Sequence, residues 1–428
     1  MLFCNIDLLD ENFKTQKNQY VGVKDGRIAY IGAEEPQEDF GERYDGRHRL
    51  LLPGFYNVHS HAPMTLLRGY AETLPLQRWL GEKVFPFEDL LDEEAAYYGT
   101  LLAISEMLAS GTVSFSDMYF FLDGMTKAIF ESGIKCNLSR GLTVFDDSDY
   151  TDLPAYRDNL RLRGEWNGAN GGRLLGDLCI HGEYTSNPKI VEAVAQHARD
   201  TGARIHIHLS ETQTEHEECK GRHGLTPAAY MEKHGIFDSP TTAAHCVWLE
   251  DGDFDILKKH GVTVACCPAS NLKLASGYAN VPKLLESGIN LALGTDGAAS
   301  NNNLNIMQDM YLFGVVYKGF FRDSTLITPA EVLHAATRAG ALSQGREDSG
   351  RLAVGMRADL CAINTDTPQF TPMTDAACNV VYAAQGADVC LTMVDGEVLY
   401  RDGVFTTIDI EKVKAEVQRR TDSILSRL

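Results

Sequence analysis

Between residues 53 and 352, short apolar runs of strand character alternate with amphipathic helical stretches, and this alternation constrains the fold more than any other feature. The runs lie near residues 55–60, 112–117, 134–140, 177–182, 204–209, 241–246, 262–266 and 289–295. Each is followed by enough chain to cross over, as in Pro188-Lys-Ile-Val-Glu-Ala-Val-Ala-Gln-His-Ala-Arg199, whose apolar residues recur at helical spacing. Eight such units in about 300 residues predict an α/β fold of the (β/α)8 TIM-barrel type. An open doubly wound sheet would favour a Gly-rich phosphate turn after its first strand. The residues there are His59-Ser-His-Ala-Pro63 instead.

The flanks read differently. Residues 1–52 are short alternating strands with a hairpin signal at Asp25-Gly26, and Leu391-Thr-Met-Val-Asp-Gly-Glu-Val-Leu-Tyr400 repeats the pattern near the other end. The expected organisation is a barrel over 53–352 and one small β-sandwich-like domain built from 1–52 and 353–428, the latter ending in a helix from Ile410.

Charge and composition narrow the function. Lys and Arg number 39 against 59 Asp and Glu, a net charge of −20, so an extended polyanion meets a repelling surface and nucleic acid is not an expected partner. No run approaches the ~20 apolar residues of a membrane span, and the first residues, Met1-Leu-Phe-Cys-Asn-Ile-Asp7, lack the basic and apolar segments of a secretory signal. Ten cysteines without C-x-x-C spacing read as reduced, mostly buried thiols, and the expected location is the cytoplasm. A homo-oligomer is left open.

A barrel places its chemistry at the C-terminal ends of several strands. His59 and His61 end the first, and alternation turns both to one face. In Arg204-Ile-His-Ile-His-Leu-Ser-Glu211, His208 lies nearer the C-terminal end and His206 a layer deeper. His245 ends the next strand and Asp296 the last. An isolated His-x-His can cap a strand, but five such residues at four strand ends argue against coincidence. His59, His61, His208 and Asp296 are the expected metal ligands, a set that suits zinc or Fe(II) with water completing an open site. Asp296 is then placed to take a proton from that water and His245 to orient it.

The stretches Pro53-Gly-Phe-Tyr-Asn-Val-His-Ser-His61, His208-Leu-Ser-Glu211, Ala244-His-Cys246, Pro268-Ala-Ser-Asn-Leu-Lys-Leu274 and Gly294-Thr-Asp-Gly-Ala-Ala-Ser-Asn-Asn302 resemble the amidohydrolase superfamily. More narrowly, the chain is similar to the methylthioadenosine/S-adenosylhomocysteine deaminases. The resemblance implies metal-dependent hydrolytic deamination of a 5′-substituted adenosine, a small-molecule nucleoside partner, and Glu211 as the group that protonates the ring nitrogen. It further implies that Glu88 holds ribose hydroxyls and that Arg140 and His181 contact the substrate. Binuclear relatives carry a lysine where this chain has His181, which implies one divalent metal ion per subunit. Trp79 would wall the pocket or simply pack. A second arginine used for an amino-acid carboxylate is missing from Asp152-Leu-Pro-Ala155, and Arg157 is out of register.

Two other readings compete. A same-fold enzyme acting on a free base or triazine, such as a guanine deaminase or chlorohydrolase, would have no use for a ribose-binding Glu88. A catalytically inactive scaffold would have no reason to keep all five strand-end residues and Glu211.

Overall fold

A computed structural model describes residues 1–428. The eight expected strand–helix units are present. The barrel strands are β6 (Phe55–Ser60), β7 (Thr112–Tyr119), β8 (Lys135–Arg140), β9 (Leu174–Ile180), β10 (Ile205–Leu209), β11 (Thr241–His245), β12 (Thr263–Cys266) and β13 (Leu291–Leu293). They pair in parallel in strict sequence order from β6 to β13, forming a nearly closed barrel. Every residue of β6 and β7 is buried, as expected of parallel strands covered on both faces. The fourth barrel strand begins earlier than the pattern suggested and stops at Ile180, which leaves His181 just beyond its end.

Local chemistry explains the connecting helices. In Pro188–Thr201, Asn187 accepts the Ile190 amide at 3.0 Å, a proline occupies the first turn, and Gly202 (φ 62°) ends the helix in the left-handed region. The face it buries is Ile190, Val191, Val194, Ala195 and Ala198.

Both chain ends build the second sheet. Its N-terminal strands are β1 (Leu2–Leu9), β2 (Thr15–Lys24), β3 (Arg27–Gly32), β4 (Arg43–Asp45) and β5 (Arg49–Pro53). Its C-terminal strands are β14 (Leu360–Asn364), β15 (Val389–Val394), β16 (Glu397–Arg401) and β17 (Val404–Phe405). The order is β17-β16-β15-β14-β5-β1-β2-β3, with β4 beside β1, so antiparallel pairing of β5 with β14 joins the two halves. Phe3, Ile6, Val21, Leu360 and Met393 share one core, so the sheet curls over itself. Both predicted turns carry positive φ at two successive residues, Asp25 (51°) with Gly26 (74°) and Asp395 (47°) with Gly396 (79°). That is the conformation an Asp-Gly hairpin supplies at low cost.

The helix Ile410–Leu425 follows the sheet in sequence but packs on the barrel. Its Val413, Val417 and Ile424 join the core that contains Leu101 and Leu108, and Arg420 pairs with Glu94 at 2.7 Å. No helix is long and apolar enough to cross a membrane. All ten cysteines are unpaired, and only Cys378 is not buried.

Candidate active site

The C-terminal mouth of the barrel opens into a cavity of about 690 Å³, within the range of small-molecule sites. At its floor, nitrogens of His59, His208 and His245 lie within 4.8 Å of one another, as do donor atoms of His59, His61 and Asp296. The five residues singled out at strand ends therefore converge on one point.

Each imidazole is oriented by a partner on its far side. Nδ1 of His61 donates to the Met118 carbonyl and Nδ1 of His208 to the His181 carbonyl, both at 2.7 Å. A carbonyl can only accept, so each of these bonds fixes a proton on Nδ1 and turns Nε2 towards the cluster. Nδ1 of His245 bonds Asn271 Oδ1 at 2.8 Å in the same way. His206 does lie deeper, with its Nε2 2.9 Å from His59 Nδ1. Burial pushes the imidazoles of His206 and His208 well below the usual range, so both are neutral.

Asp296 Oδ1 stands 3.4 Å from His59 Nε2 and 3.2 Å from His61 Nε2. Its Oδ2 accepts from Ser270 Oγ at 2.5 Å and Ser300 Oγ at 2.8 Å. Burial works to raise this carboxyl, but His59 and His61 hold it well below the ordinary value, so it is ionised. His245 (φ 72°) and Asp296 (φ 60°) occupy the left-handed region at their strand ends, a strain that non-glycine residues bear where the surroundings over-determine it.

Glu211 Oε2 lies 3.9 Å from His245 Nε2, and Ser276 Oγ donates to its other oxygen at 3.3 Å. Burial raises its carboxyl, against the pull of His245. Its backbone and that of Ser210 are pinned by Glu215, whose two oxygens accept the amides at 2.7 and 2.9 Å.

The opposite side of the cavity comes from the ends of β7, β8 and β9. Tyr119 donates its hydroxyl to Glu88 Oε1 at 2.5 Å, and burial pushes the Glu88 carboxyl up to about 7. Arg140 stacks over Phe120 at 4.9 Å and donates through Nε to Asp158 at 2.9 Å. His181, its ring 4.7 Å from that of His208, faces the cavity with Nδ1 3.1 Å from Thr185 Oγ1. Trp79 both lines the cavity and packs, at 6% exposure. Arg157 is exposed and off the cavity, whereas Arg161, one turn further along the same helix, lines it.

Several participants escaped the sequence reading. Ser270 and Asn271 sit in the quoted run Pro268–Leu274, and Ser300 in the run Gly294–Asn302, without an assigned part. Ser276, Glu215 and Tyr119 gave no signal, since a hydroxyl or second carboxylate has no diagnostic spacing.

The fold and donor set define a class: (β/α)8 barrels with a histidine–aspartate centre at the mouth. A profile of the amidohydrolase family matches residues 50–399, and the chain belongs to that family. It is 41% identical to a 5-methylthioadenosine/S-adenosylhomocysteine deaminase of Pelotomaculum thermopropionicum, over 90% of this chain and 89% of that protein. It is 39% identical to a 5′-deoxyadenosine deaminase of Methanosarcina mazei, over 96% and 95% of the two chains. Among solved structures, an adenosine deaminase from Xanthomonas campestris with bound zinc superimposes with a TM-score of 0.92 at 28% identity, covering 99% of this chain and 98% of that one.

Proposed function

We propose that this protein hydrolytically deaminates a 5′-substituted adenosine, such as 5′-methylthioadenosine, S-adenosylhomocysteine or 5′-deoxyadenosine, to the inosine derivative and ammonia. The observation that carries the reading is the placement of Glu211, an acid raised by burial, 3.9 Å from His245 at the edge of the five-residue cluster. Relatives with this activity match nearly the whole chain.

The cluster suits one divalent metal ion, zinc by preference. His59 Nε2 is a buried polar atom with no hydrogen-bond partner, which is the condition of an imidazole nitrogen kept for a metal. His59, His61, His208 and Asp296 would hold the ion. Three imidazoles and one carboxylate also accept Fe(II). When bound, the ion acidifies a water towards a pKa of ~7, which supplies a nucleophile at neutral pH.

The chain's own groups carry the remaining work. Asp296, kept ionised and oriented by Ser270 and Ser300, accepts the proton of the attacking water through its free oxygen edge. His245, held by Asn271, orients that water. Glu211 protonates the purine ring nitrogen and then assists departure of ammonia. His181 contacts the purine. Glu88, steadied by Tyr119, accepts ribose hydroxyls, and Arg140 donates to the sugar end of the substrate. The unpaired thiols suit a reducing compartment, the cytoplasm.

A base or triazine hydrolase of the same fold is the second reading. Glu88 in the cavity argues against it, because flat substrates offer no diol. The test is a spectrophotometric screen of the zinc-loaded protein for loss of adenine absorbance over 5′-substituted adenosines and free bases. Turnover of adenosines but not bases is expected; turnover of bases alone would overturn the assignment.

A further inference from the structure

A buried carboxylate outside the proton relay lies behind the seat of Asp296. Asp309, in the first turn of the helix Ile306–Phe321, is fully buried, and its two oxygens are divided between two loops. Oδ1 accepts the backbone amide of Ala269 and Oδ2 the side-chain amide of Asn301, both at 3.1 Å. Asn301 Nδ2 also donates to the Thr295 carbonyl at 2.8 Å. Ala269 precedes Ser270 and Asn301 follows Ser300, the two hydroxyls that donate to Asp296 Oδ2. One carboxylate therefore holds the chain neighbour of each serine, and through Asn301 it reaches Thr295, the neighbour of Asp296 itself.

Packing alone does not call for an acid at this position. Burial pushes the Asp309 carboxyl up to about 7, and the two amides only partly offset that. A buried carboxylate with no cation beside it costs stability. Met310, Phe313 and Tyr317 of the same helix already sit in the core, so the helix is anchored without Asp309. Position is what the carboxylate adds. The ladder between β12 and β13 ends at the pair Cys266 and Leu293, and past it the two loops are tied side chain to side chain. Both serines donate to Oδ2 of Asp296, while Oδ1 faces His59 and His61, so drift of either loop would rotate this carboxylate.

Resting on the deaminase reading above, we propose that Asp309 is a positioning residue for the proton transfer: by clamping the loops that carry Ser270 and Ser300, it sets the rotation of the Asp296 carboxylate. Oδ2 is held from behind and Oδ1 is presented to the centre. Asp309 touches neither substrate nor ion, and its effect on the reaction passes through the two serines.

A mutant cycle provides the test. In the zinc-loaded protein acting on 5′-methylthioadenosine, Asp309→Ala should lower kcat by about 10- to 100-fold and leave KM within about threefold. In a Ser270→Ala/Ser300→Ala background the same substitution should cost less than about twofold, because the groups it acts through are already gone. A second readout needs no substrate: in the cobalt-substituted protein, Asp309→Ala should shift the visible bands of the ion in the wild-type background and leave them unmoved in the double-serine background. If Asp309→Ala does not fold, Asp309→Asn keeps the size of the side chain and one acceptor oxygen. It loses one of the two amide bonds and should give a smaller effect in the same cycle. An equal loss of kcat in both backgrounds, a rise in KM alone, or wild-type cobalt bands in Asp309→Ala would each overturn the proposal. Failure of the wild type to deaminate any adenosine would overturn the deaminase reading, and the cobalt spectra would still decide the role of Asp309.

Discussion

The backbone amide of Asp296 donates to the carbonyl of His59 at 3.0 Å, across the seam where the last barrel strand meets the first. The strand β13 has only three residues and shares no ladder with β6. The seam is instead stitched by this bond and by Asn57, which accepts the Thr295 amide at 3.0 Å and donates to Thr295 Oγ1 at 2.7 Å. Barrel closure and convergence of the candidate ligands are therefore one structural event.

Gly294 lies at this seam, and a Cβ added there would fall 2.8 Å from His59 Cβ and 3.0 Å from the His59 backbone nitrogen and oxygen. Gly294→Ala must push β6 and β13 apart. The expected result is a loss of about 1–3 kcal/mol of stability together with a fall in bound metal. Denaturant melts and metal analysis of the purified variant measure both, and retention of full metal content would contradict the coupling.

In the proposed mechanism Glu211 moves protons and does not hold the ion. Glu211→Gln should therefore retain metal and lose about 10²- to 10⁴-fold or more in kcat. Near-normal turnover in a metal-replete variant would remove Glu211 from the mechanism.

Burial raises the Glu88 carboxyl to about 7, only partly offset by the Tyr119 hydroxyl. A carboxylate accepts two ribose hydroxyls better than a neutral acid does, so KM for a nucleoside should rise as pH falls through about 7. Glu88→Gln should raise KM and flatten that dependence. The stability effect has the opposite direction. The folded state binds this proton more tightly than the unfolded chain, whose value is near 4.5, so the contribution is full below about 4.5 and is lost as pH rises through about 7. Chemical denaturation of wild type and Glu88→Gln across this window should show the difference.

His206 reaches the cluster only through His59. Replacing it with Phe removes the group that orients the His59 ring, and metal affinity should fall by about 10- to 100-fold. With saturating zinc, kcat should recover more than affinity does. Competition against a chromophoric chelator reads the affinity directly, and an unchanged value would show that packing alone positions His59.

The barrel was legible because its signals are periodic. Largely apolar strands alternating with helices, and histidines two apart at strand ends, project from sequence to space with little ambiguity. The partners of Asp296 and His245 were not, although Ser270 and Asn271 adjoin each other in chain, because which hydroxyl or amide meets which ligand is decided by loop conformation. The same holds for Arg161, since helical register in 154–161 decides which arginine reaches the cavity. For the helix Ile410–Leu425 the apolar stripe was readable but its destination was not; adjacency in sequence suggested the sheet, and hydrophobic burial took it to the barrel.

Pairing of β5 with β14 sets Leu51 beside Ala362, residues separated by the whole barrel. During synthesis, β5 emerges with one edge bare and must wait for some three hundred residues before its neighbour leaves the ribosome. An unsatisfied strand edge is a template for the wrong partner. Completion of this sheet therefore requires a long-range docking step between segments made at opposite ends of synthesis.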